Sequence, residues 1–309
     1  MNADDLTHRR PAAVAAMAHR AVAIDGMNIF YREAGPPDAP ALLLLHGFPN
    51  SSHMFRNLMP ALADRWRVVA PDFPGFGFSD APDRSRFAYT FDHLADIVDK
   101  FTVALGLRRY ALYVFDYGAP IGFRLALRHP EQIIAIIVQN GNAYEEGLSA
   151  GWASSRVYWA EPTAAHREAL RSRLTPETNR WRYLAGVPDP ALVAPESYTL
   201  DSVLLARPGN DELQLDLFLD YHTNLAEYPK IHGYFRRHRP PLLAVWGRND
   251  PFFLPAGAEA IKRELPTAEL HFYDTGHFAL ETHGAAIAQC MRDFLDRHLR
   301  PTSERGRTL

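Results

Sequence analysis

Cysteine is almost absent from this chain of 309 residues. Cys290 stands alone, which excludes an internal disulfide framework and fits a reducing compartment, so a cytoplasmic protein is expected. Long apolar runs are missing too: none approaches the ~18 residues that a membrane helix needs. Nor is there an excess of one charge. Lys and Arg total 33 against 36 for Asp and Glu, a net charge of −3, so there is no electrostatic footprint for nucleic acid. The 14 histidines show no His-Glu-x-x-His or similar ligand spacing, and no metal or organic cofactor is expected. What remains is a globular composition, 47% hydrophobic and 22% charged, which excludes wholesale disorder and fibrous architecture. The length suits one large α/β domain or two small ones. Arg9 and Arg10 ahead of the alanine-rich stretch 11–18 are the sole address-like feature. They follow the acidic pair Asp4 and Asp5, so residues 1–19 read as a leader and the polar residues 300–309 as a tail.

Between those ends, strand and helix patterns alternate. Ala21–Asp25 and Met27–Tyr31, separated by Gly26, predict a hairpin. Ala41–Leu45, Arg67–Pro71, Tyr110–Phe115 and Ile133–Val138 are short apolar runs of the kind that strands buried on both faces require. Leu242–Trp246 and Leu270–Tyr273 are two more. Helical periodicity runs over 91–105, with Leu94, Ile97, Val98, Phe101 and Leu105 on one face, and over about 255–265 and 284–299. This order predicts a mostly parallel, eight-stranded sheet covered on both faces. Residues 20–140 and 236–299 are expected to form that core. The rhythm breaks over 141–235, where aromatic residues such as Trp181, Tyr183 and Tyr198 fall among helical patterns (Thr163–Leu174, Asp211–Asn224). That segment is expected to be a helical lid above the carboxyl edge of the sheet; a separate domain is the alternative.

Ligands of parallel sheets bind at the carboxyl ends of strands, so the residues after each apolar run matter most. Phe115 is followed by Asp116, with Gly118 two positions on, and then by an amphipathic helix expected over Gly122–Arg128, the geometry of a nucleophile elbow. Taken alone, Asp116 could be an ordinary N-cap. Trp246 is followed by Asp250-Pro251, and the last strand by Gly276-His277. Taken singly these are turn and loop residues; together, Asp116, Asp250 and His277 form a nucleophile–acid–histidine series at three strand ends. A fourth end, Leu45-His46-Gly47-Phe48-Pro49, offers the Phe48 amide to pair with that of Tyr117 as an oxyanion hole. Gly147-x-Ser149-x-Gly151 matches the serine-esterase pattern but lacks the preceding buried strand, so Ser149 is not expected to be a nucleophile.

Over nearly all of residues 20–299 the chain resembles the epoxide hydrolase and haloalkane dehalogenase branch of the α/β-hydrolases. Residues 46–49 are similar to the His-Gly-x-Pro motif of that branch. Residues 72–79 resemble its Asp-x-x-Gly-x-Gly-x-Ser loop, which implies a structural role. The resemblance implies Asp116 as nucleophile, Asp250 as triad acid and His277 as base, with an alkyl-enzyme ester hydrolysed by water. In epoxide hydrolases lid tyrosines protonate the ring oxygen. Asp220–Asn224 resembles the segment carrying one, which makes Tyr221 the ring-opening acid. Val157–Pro162 looks like the other stretch, but the usual register falls near Ser155, so Tyr158 is a substitute at best and lid packing is the simpler role. Haloalkane dehalogenases place tryptophan after the nucleophile and often asparagine after the His-Gly pair; Tyr117 and Phe48 depart from that, although Trp152 or Trp159 could supply an indole from the lid. Fluoroacetate dehalogenases hold the substrate carboxylate with arginines near the nucleophile, and Arg124, two turns into the elbow helix, matches poorly. The expectation is therefore an epoxide hydrolase acting on a small apolar electrophile and water, as a monomer or homodimer. Dehalogenation, ester or lactone hydrolysis, and a non-catalytic ligand-binding role stand as alternatives.

Overall fold

The computed structural model describes residues 16–299. The leader and tail read from the sequence therefore lie outside the described residues, except for 16–19, of which Ala18 opens the first strand. The hairpin is β1 (Ala18–Ile24) and β2 (Met27–Ala34), with Ile24 paired to Met27. Its two-residue loop, Asp25 and Gly26, has positive φ at both positions (49° and 79°), as the primed hairpin turns demand.

Six further strands complete the sheet: β3 (Ala41–Leu45), β4 (Arg67–Pro71), β5 (Tyr110–Phe115), β6 (Ile133–Gln139), β7 (Leu242–Gly247) and β8 (Glu269–Tyr273). The order is β1-β2-β4-β3-β5-β6-β7-β8, antiparallel for the first two pairings and parallel thereafter. The four leucines of β3 show why the sheet is covered on both sides. Leu43 and Leu45 enter one core with Phe91, Leu94 and Phe101 of α2 (Phe91–Ala104); Leu42 and Leu44 enter the other. All four are fully buried, and each contributes about 1.5–3 kcal/mol of transfer free energy. The second core is closed by α1 (Leu58–Leu62) and the carboxyl-terminal helix Ala279–His298, through Met59, Leu62, Met291 and Phe294.

The elbow helix α3 (Gly118–Arg128) starts four residues earlier than its apolar pattern suggests. Pro120 is tolerated in the first turn, where backbone N–H groups have no intrahelical partner.

Between β6 and β7 the chain is helical: α4 (Ala153–Ala160), α5 (Ala164–Ala169), α6 (Pro176–Leu184), α7 (Pro195–Leu205), α8 (Asn210–Asp220) and α9 (His222–His238). The pattern expected over 163–174 divides into α5 and a 3-10 turn, Leu170–Leu174. The one expected over 211–224 divides at Tyr221, and α9 then runs past residue 235 almost to β7. After β7 come α10 (Pro255–Glu264) and α11 (Ala279–His298), the latter bent at His283. Among the described residues no helix is long and apolar enough to cross a membrane.

Candidate active site

Asp116 occupies the one-residue step between β5 and the turn into α3, with φ +47°. A non-glycine residue in this left-handed region carries strain of about 1–3 kcal/mol, which the packing around it must hold. Two glycines make the turn possible. A Cβ at Gly118 would lie 2.3 Å from the carbonyl oxygen of Leu45, and one at Gly47 would lie 2.3 Å from Cβ of Asp116. With both side chains absent, the β3 loop closes against the elbow. The Phe48 and Tyr117 amides then each donate to Oδ1 of Asp116 at 2.7 Å. The loop is braced by buried His46, whose Nδ1 lies 2.9 Å from the Gly47 carbonyl and whose Nε2 accepts from the Phe73 amide. Burial lowers the pKa of His46 to about 4, so its ring is neutral. Asp72 holds the neighbouring loop by accepting from the Ser52 and Phe78 amides, a structural part for that motif.

His277, after β8, faces two carboxylates. Its Nδ1 lies 2.7 Å from Oδ2 of Asp250 and its Nε2 lies 3.6 Å from Oδ2 of Asp116. Burial opposes a charge on the ring, but the Asp250 and Asp116 carboxylates outweigh it and raise the pKa to about 9. Asp250 is held in turn by the Phe252 amide on Oδ1 and by Asn140 Nδ2 on Oδ2, both at 2.7 Å. Asn140 stands just past β6 and also bonds both backbone groups of Gly247. It was not singled out in the sequence, although the strand-end rule that found the other three applies to it equally.

Above these residues lies a cavity of about 50 Å³. Asp116, His277, Phe48 and Tyr117 line it from the core side; Trp152, Tyr221, Arg173 and Arg182 line it from the helices between β6 and β7. Tyr221 is buried, packed against Trp152 (4.5 Å between ring centroids) and Trp159 (5.9 Å), and its hydroxyl is hydrogen-bonded to that of Tyr228. Neither expected indole is free. Trp152 donates to the Phe252 carbonyl at 3.1 Å, and Trp159, away from the cavity lining, donates to that of Phe218 at 2.7 Å. Tyr158 is not brought to the cavity; its hydroxyl accepts from Arg167. Ser155, at the register where the family tyrosine was sought, does line it. Ser149 donates to the Pro251 carbonyl and caps the turn at Ala150–Trp152, tying the insertion to the segment after β7. Arg124 is taken up by Asp92, Asn224 and the Pro120 carbonyl. Nothing in the sequence separates Arg173 and Arg182 from the many other basic residues. Among the described residues, no three His, Cys, Asp or Glu side chains converge as a metal site would require.

Comparison with known proteins places the fold. A family model for the alpha/beta hydrolase fold matches residues 40–284. An uncharacterized hydrolase of Saccharomyces cerevisiae is 43% identical over 281 residues, covering 89% of this chain and 96% of that one. A haloalkane dehalogenase of Mycobacterium marinum is 39% identical over 273 residues, 85% of this chain and 87% of that one. Among solved structures, the epoxide hydrolase CorEH superposes with a TM-score of 0.74 at 18% identity, covering 91% of this chain and 99% of that one, a likeness of fold alone.

Proposed function

This chain belongs to the alpha/beta hydrolase family, and from that premise we propose a hydrolase whose nucleophile is the Asp116 carboxylate, acting on an epoxide to give a diol. One observation carries the reading. The two oxygens of Asp116 are in different surroundings: Oδ1 holds both amide donors, and Oδ2 faces Nε2 of His277. An ionised carboxylate needs no base to attack sp³ carbon. Oδ2 forms the new C–O bond, the ring C–O bond breaks, and the ring oxygen takes a proton from Tyr221. His277 then removes a proton from water, and hydroxide adds to the Asp116 carbonyl carbon. The negative charge that develops falls on Oδ1, where two amides already point; one such donor is typically worth ~3–4 kcal/mol. Collapse breaks the acyl C–O bond: the His277 imidazolium returns its proton to the departing alkoxide, and the Asp116 carboxyl gives up its own proton to the Tyr221 phenolate. This releases the diol and restores all three groups, with net consumption of one water.

Two observations favour an epoxide over a halide. Tyr221 lines the cavity, and its hydroxyl is bonded to that of Tyr228, a group that can donate as well as accept, so its O–H is not tied to a carbonyl as the indoles are. Burial, with the nearby Tyr228 and Asp116, raises its pKa and keeps it protonated. The two indoles that a halide would use are committed to carbonyl oxygens. The likeness to the Mycobacterium marinum dehalogenase favours halide displacement by the same aspartate as a second reading. The test is a trapped intermediate. His277→Gln should still be alkylated, and intact-mass spectrometry with peptide mapping should place the added mass on Asp116 after incubation with an epoxide. An adduct on Ser149, or full activity in Asp116→Ala, would refute the assignment; an adduct from haloalkanes only would favour the second reading.

A further inference from the structure

The arginines of the insertion fall into two kinds. Arg167 pairs with Glu212 and Asp216, and Arg171 with Glu168, Asp211 and Glu212. The two that line the cavity have no such partners among the described residues. Arg173 donates to the Ser155 hydroxyl (2.9 Å), the Ser154 hydroxyl (2.7 Å) and the Gly151 carbonyl (2.9 Å), all neutral. Arg182 is 5% exposed; its Nη2 donates to the Arg173 carbonyl at 2.6 Å, and its guanidinium carbon lies 4.9 Å from the Phe48 ring centroid. Its Nη1 has no hydrogen-bond partner among the described residues. A buried guanidinium is costly unless it is paired and hydrogen-bonded, so an unfilled donor of this kind beside a cavity points to an absent acceptor.

The reaction itself sharpens the point. Asp116 is the one carboxylate acting on Arg182, and burial together with the Arg173 charge already lowers the pKa of Arg182 to about 10. Alkylation converts Asp116 into a neutral ester and removes that counter-charge from Arg182. A fork of N–H donors is matched best by a planar anion.

We propose that Arg173 and Arg182 form a seat for a carboxylate carried by the substrate, so that the electrophile opened by Asp116 is a short-chain epoxy acid. This rests on the Asp116 reading, and it departs from the apolar substrate that the sequence led us to expect. Both arginines and Asp116 line the same cavity, so the carboxylate would lie on the insertion side and the epoxide carbon toward Oδ2 of Asp116.

The test compares 2,3-epoxybutanoate with its primary amide, which has nearly the same shape and no charge. The wild-type protein should favour the acid in kcat/KM by about tenfold or more, the range of a charge-assisted hydrogen bond. Arg182→Gln should shrink that preference mainly through KM, and Arg182→Lys should restore part of it. Butanoate should compete with alkylation of His277→Gln by the amide, whereas 1-butanol at equal concentration should not; this measurement needs no change at either arginine. Wild-type protein that turns over amide and acid equally, with adducts on Asp116 from both, would overturn the carboxylate seat and leave the nucleophile standing. An absence of any Asp116 adduct from acid, amide or 2-chloropropanoate would remove the nucleophile and this inference with it. Preferential turnover of 2-chloropropanoate over its amide would uphold the seat and change the electrophile to a halide.

Discussion

Nε2 of His277 stands 3.6 Å from Oδ2 of Asp116, the oxygen that the two amides leave free. A cation and an anion face each other there in the resting protein, and the proposed first step removes the anion. Hydrolysis of the ester then requires a neutral His277. Its rate should rise with pH, with a midpoint below the resting value of about 9, because one of the carboxylates that raises it has become an ester. Rapid-quench single-turnover measurements from pH 6 to 10 would show this. A rate that falls over that range would contradict histidine as the base.

Tyr221→Phe keeps the ring between Trp152 and Trp159 and removes only the hydroxyl. Alkylation by an epoxide should slow by ~10²-fold or more, within the range for a positioned general acid, with little change in thermal stability. Tyr228 reaches the cavity only through Tyr221, so Tyr228→Phe should slow the same step less. Halide displacement should respond weakly to either, since a halide departs without a proton. Epoxide alkylation at wild-type rate in Tyr221→Phe would leave the ring oxygen without its proposed donor.

Asn140→Ala removes a buried donor from Asp250 and both contacts to Gly247. Stability in chemical denaturation should fall by about 1–3 kcal/mol, the cost of leaving buried partners unmet. Ester hydrolysis should slow while alkylation stays close to normal, because only the second step uses the Asp250–His277 pair. Equal loss in both steps would mean that Asn140 supports the whole elbow instead.

A fourth expectation concerns the contact between core and insertion. Asp201 of α7 is buried and accepts from Asn50 and from Tyr183 of α6. Burial raises its pKa from 3.8 to about 8, against the lowering effect of the Tyr183 bond. The folded protein then holds a proton that the unfolded chain has lost between those values, so Asp201 makes stability decline as pH rises from about 4 to 8. His277, raised from 6.5 to about 9, adds a decline between those two values. Thermal melts of wild type and Asp201→Asn between pH 4.5 and 9 should show a shallower decline in the variant below pH 8. Parallel curves would rule out Asp201 as a source of the slope.

How much of this was legible in the sequence can be followed residue by residue. Leu42–Leu45 announced a strand buried on both faces because a four-leucine run has no polar side to offer water. Asp116, Asp250 and His277 could be picked out because parallel topology puts the residue after each strand at one edge, whatever the helices between do. Gly47 and Gly118 were visible as motif residues, and the structure adds the reason, a backbone approach that leaves no room for a Cβ. These features are local, or follow from strand order, and a linear chain records them.

Partnership is recorded nowhere in the chain. Tyr221, Tyr158, Trp152 and Trp159 were weighed as donors for different leaving groups. Only packing shows that both indoles donate to carbonyl oxygens and that Tyr158 lies away from the cavity beside Arg167, while Tyr221 lines the cavity with its hydroxyl against that of Tyr228. Arg167 and Arg171 look no different from Arg173 and Arg182 on paper. Tertiary structure gave carboxylates to the first pair and only neutral partners beside the cavity to the second. Whether a side chain can act depends on which hydrogen bonds and charges are already satisfied, and that is settled by neighbours far apart in sequence. The sheet, the elbow and the order of the three strand-end residues thus belong to the sequence, whereas the state of each donor facing the cavity was decided by the folded structure alone.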